Sequence, residues 1–174
     1  MRAHKLVNSN QKGFTLIEVV FAIAITAAIT GGIVTSVFQI FILNMRTSNH
    51  MNAVTQVQSA GYWVSFDAQM AQVVDASGAS GFPLTLTWTD WVGDEYQVVY
   101  TLVNDKLLRE HYTNRNINPT PDNTAYVGEY IDSGNTACSY TDGKLTLNVT
   151  ASLGTGLQVQ SETRVYEVIP RPNV

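Results

Sequence analysis

The sequence has 174 residues, of which 45% are hydrophobic, and a formal net charge of −4. This length suits one ordinary domain and hardly allows two. The acidic balance disfavours a nucleic-acid partner, because binding to phosphates needs a basic surface. One cysteine, Cys138, excludes an intrachain disulfide, so we expect a free, partly buried thiol.

The first part of the chain is basic and then strongly apolar. Residues 1–13 contain three cations and no acid, and residues 14–43 contain one charge, Glu18. A helix of about 30 residues rises about 45 Å, and about 20 apolar residues suffice to cross a bilayer. The segment therefore predicts a transmembrane helix, with residues 1–13 in the cytoplasm and the acidic remainder outside. No small-residue cleavage site follows the apolar run, which argues against an ordinary secretory signal peptide.

Glu18 is the unusual residue of this segment. A carboxylate held in the middle of a membrane costs roughly 2.5 kcal/mol or more, so such a group is expected to have a partner and a function. The alternative is that Glu18 lies at the membrane surface and reaches water.

Residues 12–18 carry a resemblance to a known family. Lys12, Gly13, Phe14 and the following Thr-Leu-Ile-Glu resemble the processing site of type III signal peptides, shared by type IV pilins, type II secretion pseudopilins and competence pseudopilins. The resemblance implies that a prepilin peptidase cleaves between Gly13 and Phe14, and that Phe14 becomes N-methylated. It also implies that Glu18 pairs with the Phe14 amine of a neighbouring subunit during assembly.

The region after the apolar run predicts a continued helix over residues 44–76, now amphipathic. Gly31 and Gly32 interrupt the apolar part, either for close helix packing or as a place where the helix bends. The apolar spacing of the second part is close to that of a helix, and its core candidates are Met51, Val54, Val57, Ala60 or Gly61, Val64, Phe66, Met70 or Ala71, and Val74.

The rest of the chain, residues 77–174, predicts a β-rich globular head. Alternating and β-branched segments between turn residues indicate strands and hairpins, which we place at 84–88, 96–103, 107–112, 125–131, 145–151 and 157–169. We expect one mostly antiparallel sheet packed on the helix, with a polar loop over 132–142. The predicted fold class is α+β: a long N-terminal spine helix with a β head.

The sequence contains no recognisable catalytic or metal-binding motif. It has no phosphate-binding glycine loop, nucleophile elbow or zinc motif, so we expect no enzyme activity, cofactor or metal. A weaker hypothesis is that the carboxylates of Asp132 and Asp142 bind calcium. The aromatic residues either fill the interface of helix and sheet or form a binding face, and they are Trp88, Trp91, Tyr96 and Tyr100.

The predicted function is that of a structural subunit of a type IV pilus or secretion-type pseudopilus. Two weaker similarities, over 63–71 and 100–109, resemble J-type minor pseudopilins and so favour a minor subunit. The implied partners are the prepilin peptidase, other pilin or pseudopilin subunits, the inner-membrane assembly platform and the lipid bilayer before assembly. The alternative is a filament-tip subunit, for adhesion or DNA uptake, whose head contacts a ligand.

Overall fold

A computed structural model of the chain describes residues 13–171. It divides into two compact units, Met1–Leu43 and Asn44–Val174. The elements are one helix, eight strands and a short 3-10 helix at Gly156–Gln158, with these bounds: α1 Leu16–Met70, β1 Val73–Asp75, β2 Leu84–Thr89, β3 Glu95–Val103, β4 Lys106–Thr113, β5 Asn123–Glu129, β6 Ala137–Thr141, β7 Lys144–Leu153 and β8 Gln160–Val168.

The predicted fold class, α+β with a long N-terminal helix and an antiparallel β head, is confirmed. The helix is shorter than the sequence suggested, because it ends at Met70 and not near Ala76. The backbone N–H of Ala71 still bonds the carbonyl of Asp67, whereas that of Gln72 bonds Thr87 in β2. Hydrogen bonds to β2 replace the helical hydrogen bonds from Gln72 onward. The next two residues, Val73 and Val74, are β-branched and favour a strand.

The head contains two sheets, so the prediction of a single sheet is wrong. The first sheet has the order β1-β2-β3-β4-β5 and the second β6-β7-β8, and all their neighbouring strands are antiparallel. The predicted polar loop over 132–142 contains β6. Its Ala-Cys-Ser-Tyr-Thr sequence has no clear alternation of apolar and polar residues. For that reason the segment was predicted as a polar loop and the strand was missed.

Two hairpins depend on two-residue turns in the left-handed region. The turn between β3 and β4 holds Asn104 at φ 49° and Asp105 at φ 58°; that between β6 and β7 holds Asp142 at 54° and Gly143 at 75°. Positive φ at both central positions is the type I′ geometry that matches strand twist, and Asn, Asp and Gly adopt it most readily. The first hairpin confirms the sequence prediction, and the second shows Asp142 as a turn residue.

The core of the head is formed by one helical stripe and the inner faces of both sheets. The buried helical residues include Val57, Ala60 and Val64, as the periodicity predicted. The predictions that Met51 and Phe66 are core are wrong, since both side chains are exposed. Of the alternatives Met70 and Ala71, Met70 is exposed and Ala71 is fully buried. The stripe passes through Asp67 and Ala68 instead, so the apolar residues beside it face outward.

Asp67 is a buried carboxylate with two partners from the first sheet. Arg109 donates from Nε to Asp67 Oδ2 at 2.7 Å and from Nη2 to Oδ1 at 2.9 Å, and the Tyr100 hydroxyl also donates to Oδ2. The guanidinium of Arg109 lies 5.0 Å from the ring centre of Trp63. Burial and the neighbouring Asp67 charge raise the pKa of Tyr100, which therefore stays a donor. These contacts attach α1 to β3 and β4.

Candidate processing and assembly site

The helix begins with a reciprocal hydrogen-bond pair between Thr15 and Glu18. The backbone N–H of Thr15 donates to Glu18 Oε2 at 2.9 Å and the Thr15 hydroxyl donates to the same oxygen at 2.8 Å. In return, the Glu18 N–H lies 3.4 Å from Thr15 Oγ1. This is a capping box, with Thr15 at the N-cap position and Glu18 at the third helical position.

The capping box gives Glu18 a function inside its own chain. A carboxylate at a helix N-terminus satisfies free N–H groups and interacts favourably with the helix dipole. Both bonds to the carboxylate end on Oε2, and an ionised carboxylate has acceptor capacity on both oxygens. Oε1 is therefore chemically able to accept a donor from another molecule while the box is intact.

Gly13 and Phe14 precede the helix and have no regular secondary structure. The Phe14 side chain is 87% exposed, and a Cβ added to Gly13 would meet no atom within 4 Å. The bond between them thus lies in an accessible, non-helical segment. Residues 1–12 of the predicted leader lie outside the described residues.

Among residues 13–171, α1 is the one helix whose length and composition would allow it to cross a membrane. Its most apolar 18-residue window has a mean hydropathy of 2.2, and none of that window is buried. The helix runs through Gly31 and Gly32 without interruption, and the Thr35 and Ser36 hydroxyls donate to their carbonyls at 2.5 and 2.8 Å. These bonds satisfy the hydroxyls within the helix, as an apolar environment requires.

The described part of the chain brings together no group of three or more His, Cys, Asp or Glu residues that could hold a metal. Asp132, one of the two residues of the calcium hypothesis, uses its oxygens locally: they accept from the N–H of Gly134 and from the backbone and side chain of Asn135. The Asn135 bonds lower the pKa of Asp132. Asp132 is therefore a turn-forming carboxylate.

Comparison with known protein families gave a match at the N-terminus. The family described as the prokaryotic N-terminal methylation motif matches residues 8–34, which include the Gly13–Phe14 bond, the capping box and the apolar helix as far as Val34. The chain thus carries the N-terminal signal of type IV pilin-like proteins. Searches of curated proteins and of solved structures returned no match.

The methylation motif describes the N-terminal segment and supports processing by a prepilin peptidase. Proteins with this motif are substrates of prepilin peptidase and assemble with other pilin subunits. The match ends at residue 34, so the family is carried by the N-terminal segment, whereas the head contributes only an α+β architecture consistent with it. The resemblance predicts an assembly role for Glu18, which stays a prediction. The Thr-x-x-Glu spacing contained the signal for its capping role, which sequence reasoning missed.

Proposed function

We propose that this pilin-like chain is a filament subunit, and a minor one, of a type IV pilus or a secretion-type pseudopilus. The observation that carries the proposal is the methylation motif over residues 8–34, joined to an apolar helix that exposes its side chains along residues 14–43. Before assembly the bilayer covers this surface, and in the filament neighbouring helices replace the lipid.

Processing occurs in this proposal between Gly13 and Phe14, on the cytoplasmic side of the membrane. The exposed non-helical segment supports it, because a peptidase needs an accessible backbone. Cleavage converts the Phe14 nitrogen from an amide to an amine, which is then N-methylated. The chain supplies the substrate, and the peptidase is a separate protein.

Assembly uses the new positive charge on Phe14 and the negative charge of Glu18 on a neighbouring subunit. An isolated charge in an apolar surrounding costs several kcal/mol, and a well-placed opposite charge offsets that cost. The pairing therefore sets the axial register between subunits, in the way that a buried polar pair fixes the register of a coiled coil. The Thr15 bonds hold the Glu18 carboxylate in place before a neighbour arrives.

The assignment as a minor subunit rests on two similarities, over 63–71 and 100–109. These stretches contact each other in the head, through the bonds of Asp67 with Tyr100 and Arg109. The two similarities therefore describe one structural feature of the head. The subunit is anchored in the inner membrane with its head outside the cytoplasm, and it enters a filament through the assembly platform.

The test is the mass of the N-terminus of the full chain, extracted from membranes of cells with and without active prepilin peptidase. We expect a mature chain that begins with methylated Phe14 in the first cells and an uncleaved chain in the second. Gly13→Ala should remain uncleaved. Glu18→Gln should be cleaved normally and yet be depleted at least tenfold from sheared filaments, since a loss of about 1.4 kcal/mol already changes an equilibrium tenfold.

Thr15→Val is the matched variant for the capping box, because it removes the hydroxyl and keeps both the carboxylate and the side-chain shape. We expect a smaller loss from filaments than with Glu18→Gln, because N-cap removal typically costs about 1 kcal/mol. An uncleaved chain in cells with active peptidase would refute the proposal.

A further inference from the structure

The strand β8 forms one outer edge of the second sheet and leaves that edge free. The sheet has the order β6-β7-β8, so β8 pairs with β7 on one side only. All nine residues of β8 pair with β7 in one unbroken register. An edge strand presents backbone N–H and C=O groups that can pair with another chain.

The hydrogen bonds of β7 show which backbone groups of β8 face outward. The Ser152 N–H donates to the Tyr130 carbonyl, and the Thr150 carbonyl accepts from the Asp132 N–H, both at 2.9 Å. The even-numbered residues of β7 therefore bond away from β8. Because backbone direction alternates along a strand, the odd-numbered residues of β7 bond β8, and their partners there are even-numbered. The backbone groups of four residues of β8 point away from β7: Ser161, Thr163, Val165 and Glu167.

These four residues offer their backbone to a partner at a regular spacing. Within residues 13–171, their N–H and C=O groups form no hydrogen bond on the outward side. All four residues are exposed, and the side chain of Val165 is 60% exposed. Alternate residues of a strand lie about 6.8 Å apart. Another extended backbone repeats its donors and acceptors at this distance, so the edge is suited to an extended segment.

The other sheet edges are less suited to accept a strand. β1 has three residues and β6 has five, and the Cys138 N–H in β6 already donates to the Ser80 carbonyl at 2.8 Å. The pairing of β5 with β4 contains a bulge. Short strands, bulges, proline and lysine are common protections of an edge, and β8 has none of them. Its charged residues Glu162 and Arg164 bond each other at 3.2 Å.

A groove of about 470 Å³ lies beside this free edge, between α1 and β8. Tyr62 and Phe66 of α1 line it, with side chains 62% and 48% exposed and ring centres 6.2 Å apart. Arg164 and Tyr166 line it from β8. Side chains directly opposite each other in a sheet lie on the same face. The residues of an added strand that lie opposite Arg164 and Tyr166 would therefore enter the groove.

We propose that β8 binds an extended segment of a different subunit by β-strand addition, with a large apolar side chain of that segment in the groove. In this mode of recognition main-chain hydrogen bonds give affinity, and pockets for alternate side chains give specificity. The rings of Tyr62, Phe66 and Tyr166 supply the apolar contact surface. The inference rests on the proposed function, because a minor subunit has mainly unlike neighbours in a filament.

A second copy of this chain is the less suitable occupant. The eight strands described are already placed in the two sheets, so a second copy would offer only one of its edges. Two-fold pairing of β8 with β8 through all four outward residues would place Arg164 opposite Arg164. Like charges directly opposite each other in a sheet are unfavourable. A different subunit can instead present an apolar residue at that position.

The test is photo-cross-linking of the full chain in filaments from the native host. The photoreactive amino acid benzoylphenylalanine replaces Gln69, an exposed residue that lines the groove. Sheared filaments are irradiated, and the linked peptides are identified by mass spectrometry. We expect one dominant link, to a segment of a different subunit in which apolar and polar residues alternate. The same label at Tyr126, which is exposed on β5, is the control and should not capture that segment.

Val165→Pro tests the backbone pairing. It removes an N–H group that β7 does not use, and proline is tolerated at such positions of an edge strand. Val165→Thr is the matched control, because it keeps the N–H group and a β-branched side chain. We expect the proline variant to lower the cross-link from position 69 about tenfold or more, and the threonine variant to change it less than about twofold. Thermal unfolding of the detergent-solubilised chain checks that both variants are folded.

Ser65→Trp tests the groove without touching the backbone of β8. Ser65 lines the groove from α1, so an indole at this position would occupy the space of the incoming side chain. We expect the cross-link to fall about fivefold or more, because a clash opposes binding of the partner. This variant decides the question if Val165→Pro does not fold.

The outcomes separate this inference from the proposed function. The chain could be present in filaments while position 69 links mainly to a second copy, to no protein, or to a subunit whose link resists the folded proline variant and Ser65→Trp. Each of these results would overturn strand addition and leave the proposed function standing. If the processed chain is absent from filaments, the proposed function fails and strand addition fails with it.

Discussion

At the scale of single residues, Asp67 does most to define the head. A lone acid in an amphipathic helix ordinarily points to solvent, yet the side chain of Asp67 is only 2% exposed and that of its partner Arg109 only 11%. A buried ion pair adds little to the stability of the fold compared with an apolar pair of equal shape. Removing one partner is nevertheless costly, because the other charge is left buried and unpaired. Its significance lies in fixing how α1 meets β3 and β4.

Asp67→Ala should therefore lower the free energy of unfolding of the head by about 3–5 kcal/mol, because Arg109 and Tyr100 lose their common acceptor. The measurement is chemical unfolding of the detergent-solubilised chain, followed by near-ultraviolet circular dichroism. Glu129→Ala is the control: its pair with Lys106 is about 40% exposed on both sides, so we expect a loss of at most about 1 kcal/mol. Equal losses in the two variants would contradict a special role for Asp67.

At the scale of secondary-structure elements, Gly61 shows why a poor helix former lies inside α1. A Cβ added there would be 2.1 Å from Cζ of the Tyr166 ring. The hydroxyl of Tyr166 donates to the Val57 carbonyl at 3.1 Å, which holds the ring against the helix. The glycine is thus the site where β8 crosses α1 closely.

Gly61→Ala should destabilise the head by about 1–3 kcal/mol through overpacking, although alanine by itself favours a helix by about 1 kcal/mol. Thermal unfolding of the full chain measures this. Gly32→Ala is the matched control in the same helix, because its added Cβ meets nothing within 4 Å, and it should not lower the melting temperature. In a double-mutant cycle, Tyr166→Ala should relieve most of the loss; additive losses would exclude the ring contact as the cause.

At the scale of the whole molecule, the two units differ in what they bury. Every buried hydrophobic residue among those described lies between Ala53 and Val168, whereas the large apolar residues of 14–43 are exposed. The first unit therefore needs lipid or other subunits to cover it, and the second contains its own core. This division agrees with the proposed function, in which the first unit lies in a membrane before assembly and in a filament afterwards.

A fragment of residues 44–174 should accordingly fold as a soluble monomer with a cooperative melting transition, measured by circular dichroism and sedimentation. A fragment of residues 77–174 is the control: it lacks the helical stripe of Val57, Ala60 and Val64 and should fail to fold, because both sheets lose their apolar partner. Cooperative folding of the shorter fragment would show that the helix is dispensable for the head.

Some features of the structure depend only on residues that are close together in the chain, and these could be predicted from the sequence. The apolar run, the Lys-Gly-Phe-Thr-Leu-Ile-Glu motif and the β3–β4 hairpin depend on neighbouring residues, and the methylation motif and the observed strands confirm them. The capping box is equally local. The cleavage bond and the pairing of Glu18 stay predictions, since they involve other molecules.

The rest was decided by contacts between residues far apart in the chain. The end of α1 at Met70 depends on β2 pairing with Gln72, and the burial of Asp67 depends on Arg109, 42 residues later. β6 forms because β7 offers a partner edge, although its own sequence carries no strand period. Likewise Trp91 was one of four aromatic candidates, and only the tertiary structure separated it from buried Trp88 and Tyr100, because burial depends on which sheet face a neighbouring element covers.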